Sequence, residues 1–325
     1  MSFYVTKTEI TIGKFVFDFC CEVKINSSYK NLTDTAKIVI PKKLAWQNTP
    51  LAKGETSPLK RGMLVKIRLG YGEEMHTEFE GYVTKIGMQT PLEIECEDKM
   101  WFLKQSTITS KIYANVSLST LLKDILPAGI EYVCNQEIQL GKFRISKATP
   151  AMVLDELKKT YLLYSFFRGG KLYVGQAFWL ELRKEHELDF VENIVDGGKN
   201  LSFQKAEDTK IKVKAISMLP NNTKIEIEEG DPDGATRTLH YYNKSEALLR
   251  QIAKTEIETL KYTGLSGKAE ALGLPSIQHG DYVTFFDKNN EDRDGDTYRI
   301  EAVEISMGMS GYRRTCTIDK LVKKN

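Results

Sequence analysis

Two stretches near opposite ends of the chain present the same succession of features, and any fold must house that succession twice. Gly62-Met63-Leu64-Val65-Lys66-Ile67 is answered by Gly280-Asp281-Tyr282-Val283-Thr284-Phe285, with a glycine opening each and a valine in the same place after it. A polar tip follows each, then a long alternating stretch, so that Phe79 falls over Tyr298, Ile86 over Ile305 and Met88 over Met307. Both copies close in Asp-Lys, at Asp98-Lys99 and Asp319-Lys320. Extra residues in the second copy fall in loops or near the final turn, where insertions cost least. Any two hairpins share alternation, but the constant order and spacing of these features point to an internal duplication. Gly62, Val65, Phe79, Ile86, Gly280, Val283, Tyr298 and Ile305 are its structural repeat positions.

The period inside these stretches is two, that of side chains along a β-strand. Before the first copy, Phe15, Phe17, Phe19, Cys21, Val23 and Ile25 alternate with polar residues, which predicts one extended strand. Leu32, Asp34, Ala36, Ile38 and Ile40 continue the period until Pro41, and Pro50, Gly54, Pro58 and Gly62 then punctuate a loop. Between Val83 and Ile86 the apolar phase slips by one, the signature of a β-bulge. Short strands with one apolar face must close on themselves or pack on another sheet, and a small barrel is the economical solution.

In the middle the period changes. Leu118, Leu121, Leu122, Ile125 and Leu126 define an amphipathic helix with Ser117 as N-cap and Pro127 as stop. Thr149-Pro150 opens a second helix that presents Val153, Leu154, Leu157 and Tyr161 on one face. Tyr164 to Val174, with Gly169-Gly170 at its centre, reads as a β-hairpin. Strands return at Ile211–Ala215 and Ile225–Ile227, followed by a helix with Leu249, Ile252, Ala253, Ile257 and Leu260 inward, and by further strands from Tyr282 onward. The expected fold is α+β and mainly β: two similar small antiparallel β-barrel domains, 1–105 and 196–325, flanking an α+β module at 106–195.

Size and charge exclude several function classes. At 325 residues the chain suits two or three domains, and 46 basic against 44 acidic residues leave no basic footprint for specific nucleic-acid binding. The start has no basic segment leading into an apolar one, and no apolar run is long enough to insert into a membrane. Cys20, Cys21, Cys96, Cys134 and Cys316 are odd in number and lack C-x-x-C spacing, so they read as thiols of a protein made in a reducing cytoplasm.

No residue pattern in the sequence points to catalytic or metal chemistry, so no cofactor, metal or enzymatic activity is expected. His76, His186, His240 and His279 are scattered, and no phosphate-binding glycine loop or nucleophile elbow occurs. Asp287 to Asp296 is rich in carboxylates, but position six of a calcium loop counted from Asp287 would be Asp292, not glycine, so a solvated hairpin tip is the better reading. Phe166, Phe167, Tyr173 and Trp179 invite a carbohydrate-stacking reading, yet strand and helix faces already account for most of them as core.

The layout, with particular segments, resembles the late control protein D and baseplate-hub family of contractile phage tails, whose hub unit also forms the N-terminal part of VgrG spike proteins. The matching segments are Phe79 to Ile86, Glu97-Asp98-Lys99-Met100-Trp101-Phe102-Leu103, Ser117 to Leu126, Thr149 to Leu157, Gly170 to Gly175, and Gly273-Leu274-Pro275-Ser276-Ile277-Gln278-His279-Gly280-Asp281. No single segment is specific; their shared order across nearly the whole chain carries the resemblance. It implies a structural protein of a phage or prophage tail baseplate, or of a related contractile injection machine, assembled in a bacterial cytoplasm. It further implies a homotrimer in which two barrels per chain give a pseudo-six-fold ring, between a tail-tube protein and a separate trimeric spike. The chain ends soon after the second copy, which fits a hub without a fused spike. A host-surface or carbohydrate-binding tail module stays open as the alternative, and a cell-wall hydrolase would require a poised carboxylate pair in a cleft.

Overall fold

The computed structural model describes residues 5–41, 58–106, 110–134, 138–161, 163–175, 184–219, 223–242, 244–290 and 294–323. The first part forms β1 (Thr6–Ile12), β2 (Phe15–Phe17), β3 (Glu22–Ser28), β4 (Thr35–Ile40), β5 (Leu64–Tyr71), β6 (Glu74–Ile86) and β7 (Leu92–Glu97). The middle forms α1 (Met100–Gln105), β8 (Lys111–Ser117), α2 (Leu118–Ile125), β9 (Tyr132–Val133), β10 (Gln139–Ile145), α3 (Pro150–Tyr161), β11 (Tyr164–Arg168) and β12 (Lys171–Gly175). The last part forms β13 (Glu185–Asp189), β14 (Leu201–Gln204), β15 (Ile211–Met218), β16 (Lys224–Gly230) and β17 (Ala235–Tyr242). It continues with α4 (Glu246–Leu260), β18 (Gly264–Leu272), β19 (Tyr282–Phe286), β20 (Thr297–Gly308) and β21 (Gly311–Lys323). The fold is α+β and mainly β. Among the described residues no helix is long and apolar enough to cross a membrane.

The two ends do not close into separate barrels. Among the described residues thirteen strands join in one open sheet in the order β14-β18-β21-β20-β3-β4-β7-β6-β5-β1-β2, with β13 and β19 attached beside β20. The cause is a single ladder: β3 pairs antiparallel with β4 on one edge and with β20 on the other, setting Ile25 opposite Ile305 and Val23 opposite Met307. A strand edge with unpaired N–H and C=O groups seeks a partner, and β3 finds it at the far end of the chain instead of closing on its own sheet. One hydrophobic core accordingly contains inward side chains of both copies, from Ile10, Ile38 and Val65 to Val283, Ile300 and Cys316.

Other expectations meet local differences. The single strand read over Phe15 to Ile25 is broken at 18–21, where Phe19 and Cys21 are exposed. β2 turns back on β1 and β3 belongs to another part of the sheet, so the chain must cross between them. The last part also holds more than one barrel would: β16-β15-β17 form their own sheet, and α4 packs Leu249 and Ala253 onto it as a small separate core. The loop at Pro50 and Gly54, Trp179 and Glu291-Asp292-Arg293 lie outside the described residues.

In the middle part local signals and structure agree. Ser117 caps α2 by accepting from the Thr120 N–H at 3.3 Å, and Leu118, Leu121, Leu122 and Ile125 are buried. Thr149 Oγ1 accepts from the Met152 N–H at 3.2 Å where α3 starts. Gly169 and Gly170 both take positive φ, as a two-residue turn between β11 and β12 requires.

The repeated segments share strand order and several local details. β5-β6-β7 and β19-β20-β21 are neighbours in the same order, and β4 and β18 lie next to β7 and β21. Gly62 and Gly280 each have φ of 85°. Their N–H groups donate to Val83 O at 2.8 Å and Ile300 O at 2.7 Å, while Val83 N and Ile300 N donate back to Met63 O and Asp281 O. The ladders then skip one residue in each copy, Thr84 between Val83 and Lys85, Glu301 between Ile300 and Ala302. This register sets Val83 with Ile300 and Gly81 with Tyr298, two residues from the alignment that laid Phe79 on Tyr298. The reason is spatial: a Cβ on Gly81 would lie 2.8 Å from the tip of the Phe79 ring, so Phe79 leans into the space that an inward Tyr298 fills in the other copy.

A side chain at either repeated glycine meets a left-handed backbone that L-residues adopt at a cost of about 1–2 kcal/mol. Gly62→Ala and Gly280→Ala should each lower the unfolding free energy by at least that order in urea titration, Gly62→Ala by more because its Cβ would also press on the Trp101 ring at 3.3 Å, whereas Gly72→Ala, at a hairpin tip with no atom near its Cβ, should show the backbone cost alone. An unchanged midpoint in Gly280→Ala would contradict the role of that turn.

Candidate functional site

The three parts of the chain meet around a cavity of about 410 Å³ whose wall includes Asp34, Glu78, Asp98, Arg168, His279 and Arg314. Among the described residues Arg314 is the largest fully buried side chain, and it sits on β21 in the inward phase of Tyr312, Cys316 and Ile318. Its Nε donates to Gly273 O at 2.9 Å, Nη1 to Ile277 O at 2.6 Å, and Nη2 to Glu78 Oε1 at 2.8 Å and Tyr312 Oη at 3.0 Å. Glu78 comes from β6, so this ion pair crosses from the first copy to the second. Tyr312 Oη and Ser276 Oγ donate to the same Glu78 oxygen at 2.7 and 3.0 Å. A buried charge persists only when paired and hydrogen-bonded, and this one has both.

A second anchor ties in the middle module. Arg168, where the β11–β12 hairpin turns, donates from Nη1 to His279 O at 3.3 Å and from Nη2 to Asp281 Oδ1 at 2.7 Å. Asp281, wholly buried, also accepts from Lys184 N and Gln278 N and lies 3.2 Å from His186 Nε2. Burial pushes the Asp281 carboxyl up, but the His186 hydrogen bond and the Arg168 guanidinium outweigh it and hold the group at about 2. Burial and then the Arg168 charge push His279 down to about 3, so its ring is neutral, packed edge-on against Phe166.

The third element is a carboxylate pair. Asp34 O accepts from Asp98 N at 3.0 Å, and Asp98 Oδ2 accepts from Asp34 N at 3.2 Å. Asp34 Oδ2 accepts from Ser27 Oγ at 2.5 Å and Oδ1 from Ser28 N, while Asp98 Oδ1 accepts from Met100 N at 2.9 Å at the start of α1. Burial pushes both carboxyls up, and the Asp34 charge raises Asp98 further. All four oxygens thus accept hydrogen bonds from the chain itself, three of them from backbone. The pair fastens the β3–β4 turn to the start of α1, which is a joint and not a poised acid and base.

The repeat positions are inward parts of the same sheet: Val65, Val283 and Tyr298 have no exposure, Phe79 and Ile305 are buried, and Ile86 packs half-buried on the core. Gly62 and Gly280 open the turns described above. Phe166 and Tyr173, weighed as a stacking platform, are buried and stacked on each other at 5.7 Å. Among the described residues no group of three or more His, Cys, Asp or Glu is placed to hold a metal ion. Sequence reasoning missed Arg314, Glu78, Arg168 and Asp281; an arginine in the inward phase of β21 was the available signal.

No protein-family model matches the sequence, and no curated protein matches it. Solved structures do. The tail protein from Neisseria meningitidis MC58 aligns over 98% of this chain and 97% of its own, at 13% identity and a TM-score of 0.67. The 43 kDa tail protein of prophage MuSo2 from Shewanella oneidensis covers 98% of both chains at 14% identity and a TM-score of 0.64. The chain has the fold of phage tail proteins. The same tail-protein fold extends to the Escherichia coli c3393 protein, a type VI secretion component similar to T4 tail proteins gp27 and gp5, over 97% of this chain and 77% of that one at 10% identity and a TM-score of 0.60.

Glu78→Gln leaves Arg314 buried without a counter-charge and should cost about 3–5 kcal/mol in chemical denaturation. The aspartates predict two opposite pH effects. The folded Asp34–Asp98 pair keeps a proton that an unfolded aspartate, with a pKa of about 3.9, has released, so its contribution should fall as pH rises from about 4 to 7. Asp281, held low, should lose its contribution as pH drops from about 4 through about 2. In Asp98→Asn the decline in urea midpoint between pH 5 and pH 8 should shrink; an undiminished decline would remove the pair as its cause.

Proposed function

We propose that this chain is a structural hub protein of a phage tail or phage-like contractile injection machine, acting as a homotrimeric ring of pseudo-six-fold symmetry between the tail tube and a separate central spike. The observation that carries this reading is the strand set presented twice within one chain, with equal glycine turns and equal bulges, in the fold of phage tail proteins. Three chains with two similar sheet segments each offer six similar surfaces, so one face can meet a six-fold tube while the module at 106–195 keeps three-fold symmetry toward a spike. We take the repeat positions and the division at 105 and 195 as parts of this reading, with the β15–β17 and α4 unit as a second insert within the last segment. The role is geometric. The buried ion pairs that link the copies serve it by fixing the angle between them, and no enzymatic step is assigned to the chain.

The chain, tagged at an exposed residue such as Val191, should appear in purified tail particles at the tube end nearest the spike, in three copies per particle. Isolated protein should show no specific binding on a glycan array. A chain absent from purified particles, or one that binds a defined glycan on its own, would move the assignment to the host-surface alternative.

A further inference from the structure

Within the middle module β8 and β10 form a sheet of their own, and among the described residues no other strand takes the second edge of β10. That edge faces α3, because Tyr161 Oη at the end of α3 donates to Leu140 O at 2.9 Å. At the other end the chain runs on from Ile145 to Pro150, where α3 begins. Between these two ties α3 rests on α1, β11 and β17 and stands off from β10, leaving a groove of about 420 Å³. Lys142 to Ile145 line its strand side, and Met152, Val153 and Glu156 stand on its helix side.

We propose that this groove takes an extended segment of another protein as a third strand on β10, with apolar and acidic side chains in alternation along it. The backbone sets the form of the occupant. A strand edge offers N–H and C=O groups at strand spacing, which an extended chain satisfies and a helix or a compact ligand does not. The stretch from Gly141 to Ile145 admits about five residues of such a chain, roughly 17 Å.

The side chains of β10 set its composition. Phe143 and Ile145 point into the core that Val153 also joins, whereas Lys142 and Arg144 point out to solvent. An added strand shares the pleat of its neighbour, so its alternate side chains go to these same two faces. Those on the inner face meet Val153 and Met152, and Met152 is 59% exposed although it borders the core. Those on the outer face lie beside Lys142 and Arg144, neither of which has a hydrogen bond or ion pair among the described residues. Glu156 is turned instead to the Thr160 hydroxyl, which donates to it at 2.8 Å. Opposite charges placed across neighbouring strands attract and like charges repel, so carboxylates suit the outer positions and ammonium groups do not. None of these features depends on the chain being a hub.

The test uses the full-length protein and a fluorescein-labelled, end-blocked heptapeptide of alternating valine and glutamate. Its anisotropy should show saturable binding with a midpoint below about 1 mM, while the heptapeptide of alternating valine and lysine should not bind. Hydrogen exchange of the amides at 141–145 should slow about tenfold or more in the presence of the glutamate peptide. The double variant Lys142→Glu, Arg144→Glu, at exposed positions, should keep the wild-type circular dichroism, lose the glutamate peptide by about tenfold or more and gain the lysine peptide. Absence of saturable binding by the wild type overturns the proposal. So does binding that ignores the charge reversal, or protection that appears away from 141–145. Protection of 141–145 that is present without peptide and fades on dilution gives the edge to a second copy of the chain, and overturns it as well. The hub reading is judged separately, by the position of the chain in tail particles.

Discussion

A β-strand with a free edge carries a row of backbone donors and acceptors that water or another strand must satisfy, and β3 satisfies both of its rows inside one chain. Its second ladder, to β20, connects residues near the start of the sequence to residues near its end, and the architecture follows from that connection. Val23 and Ile25 meet Met307 and Ile305, the inward faces of both copies become one core, and the sheet stays open where two separate barrels would have closed. A core of this kind couples the copies energetically. Removing any one of its large side chains, at roughly 2–5 kcal/mol for Ile to Ala, weakens both ends of the chain together.

The buried charges play a different part. A hydrophobic pair in place of Arg314 and Glu78 could give equal stability, because desolvation of both ions consumes most of their attraction. What the guanidinium adds is direction. Its donors reach two backbone carbonyls in the Gly273–Ile277 turn, a tyrosine hydroxyl and a carboxylate from the other copy, which fixes β6, β21 and that turn in one geometry. Arg168 does the same for the β11–β12 hairpin against Asp281. The Asp34–Asp98 joint holds the start of α1 to the turn between β3 and β4. The proposed ring would need this sort of fastening, since small angular errors between copies accumulate around a closed circle.

Local elements were legible in the residues because their causes are local. Ser117 before an i, i+3, i+4 stripe, Thr149-Pro150, and Gly169-Gly170 between alternating runs each name their own structure, and helices and hairpin form there. The bulge near Val83 was visible as a slipped phase. The repeat could be seen through Gly62 and Gly280, since only glycine suits a backbone at φ of 85°, but its second strand was laid two residues off. Period two explains the error: a shift by two keeps every side chain on its face, and an aromatic at Phe79 resembles one at Tyr298 although its ring arrives from a neighbouring position.

By itself the sequence determined the kind of each element, the face it buries and the order in which similar elements recur, because turn chemistry and hydrophobic period act over a few residues. Only the tertiary structure decided which edges pair, whether the sheet closes, and where the charges converge. Those outcomes depend on contacts such as Ile25 with Ile305 and Glu78 with Arg314, between residues more than two hundred positions apart. No local pattern of residues encodes the partner across such a distance.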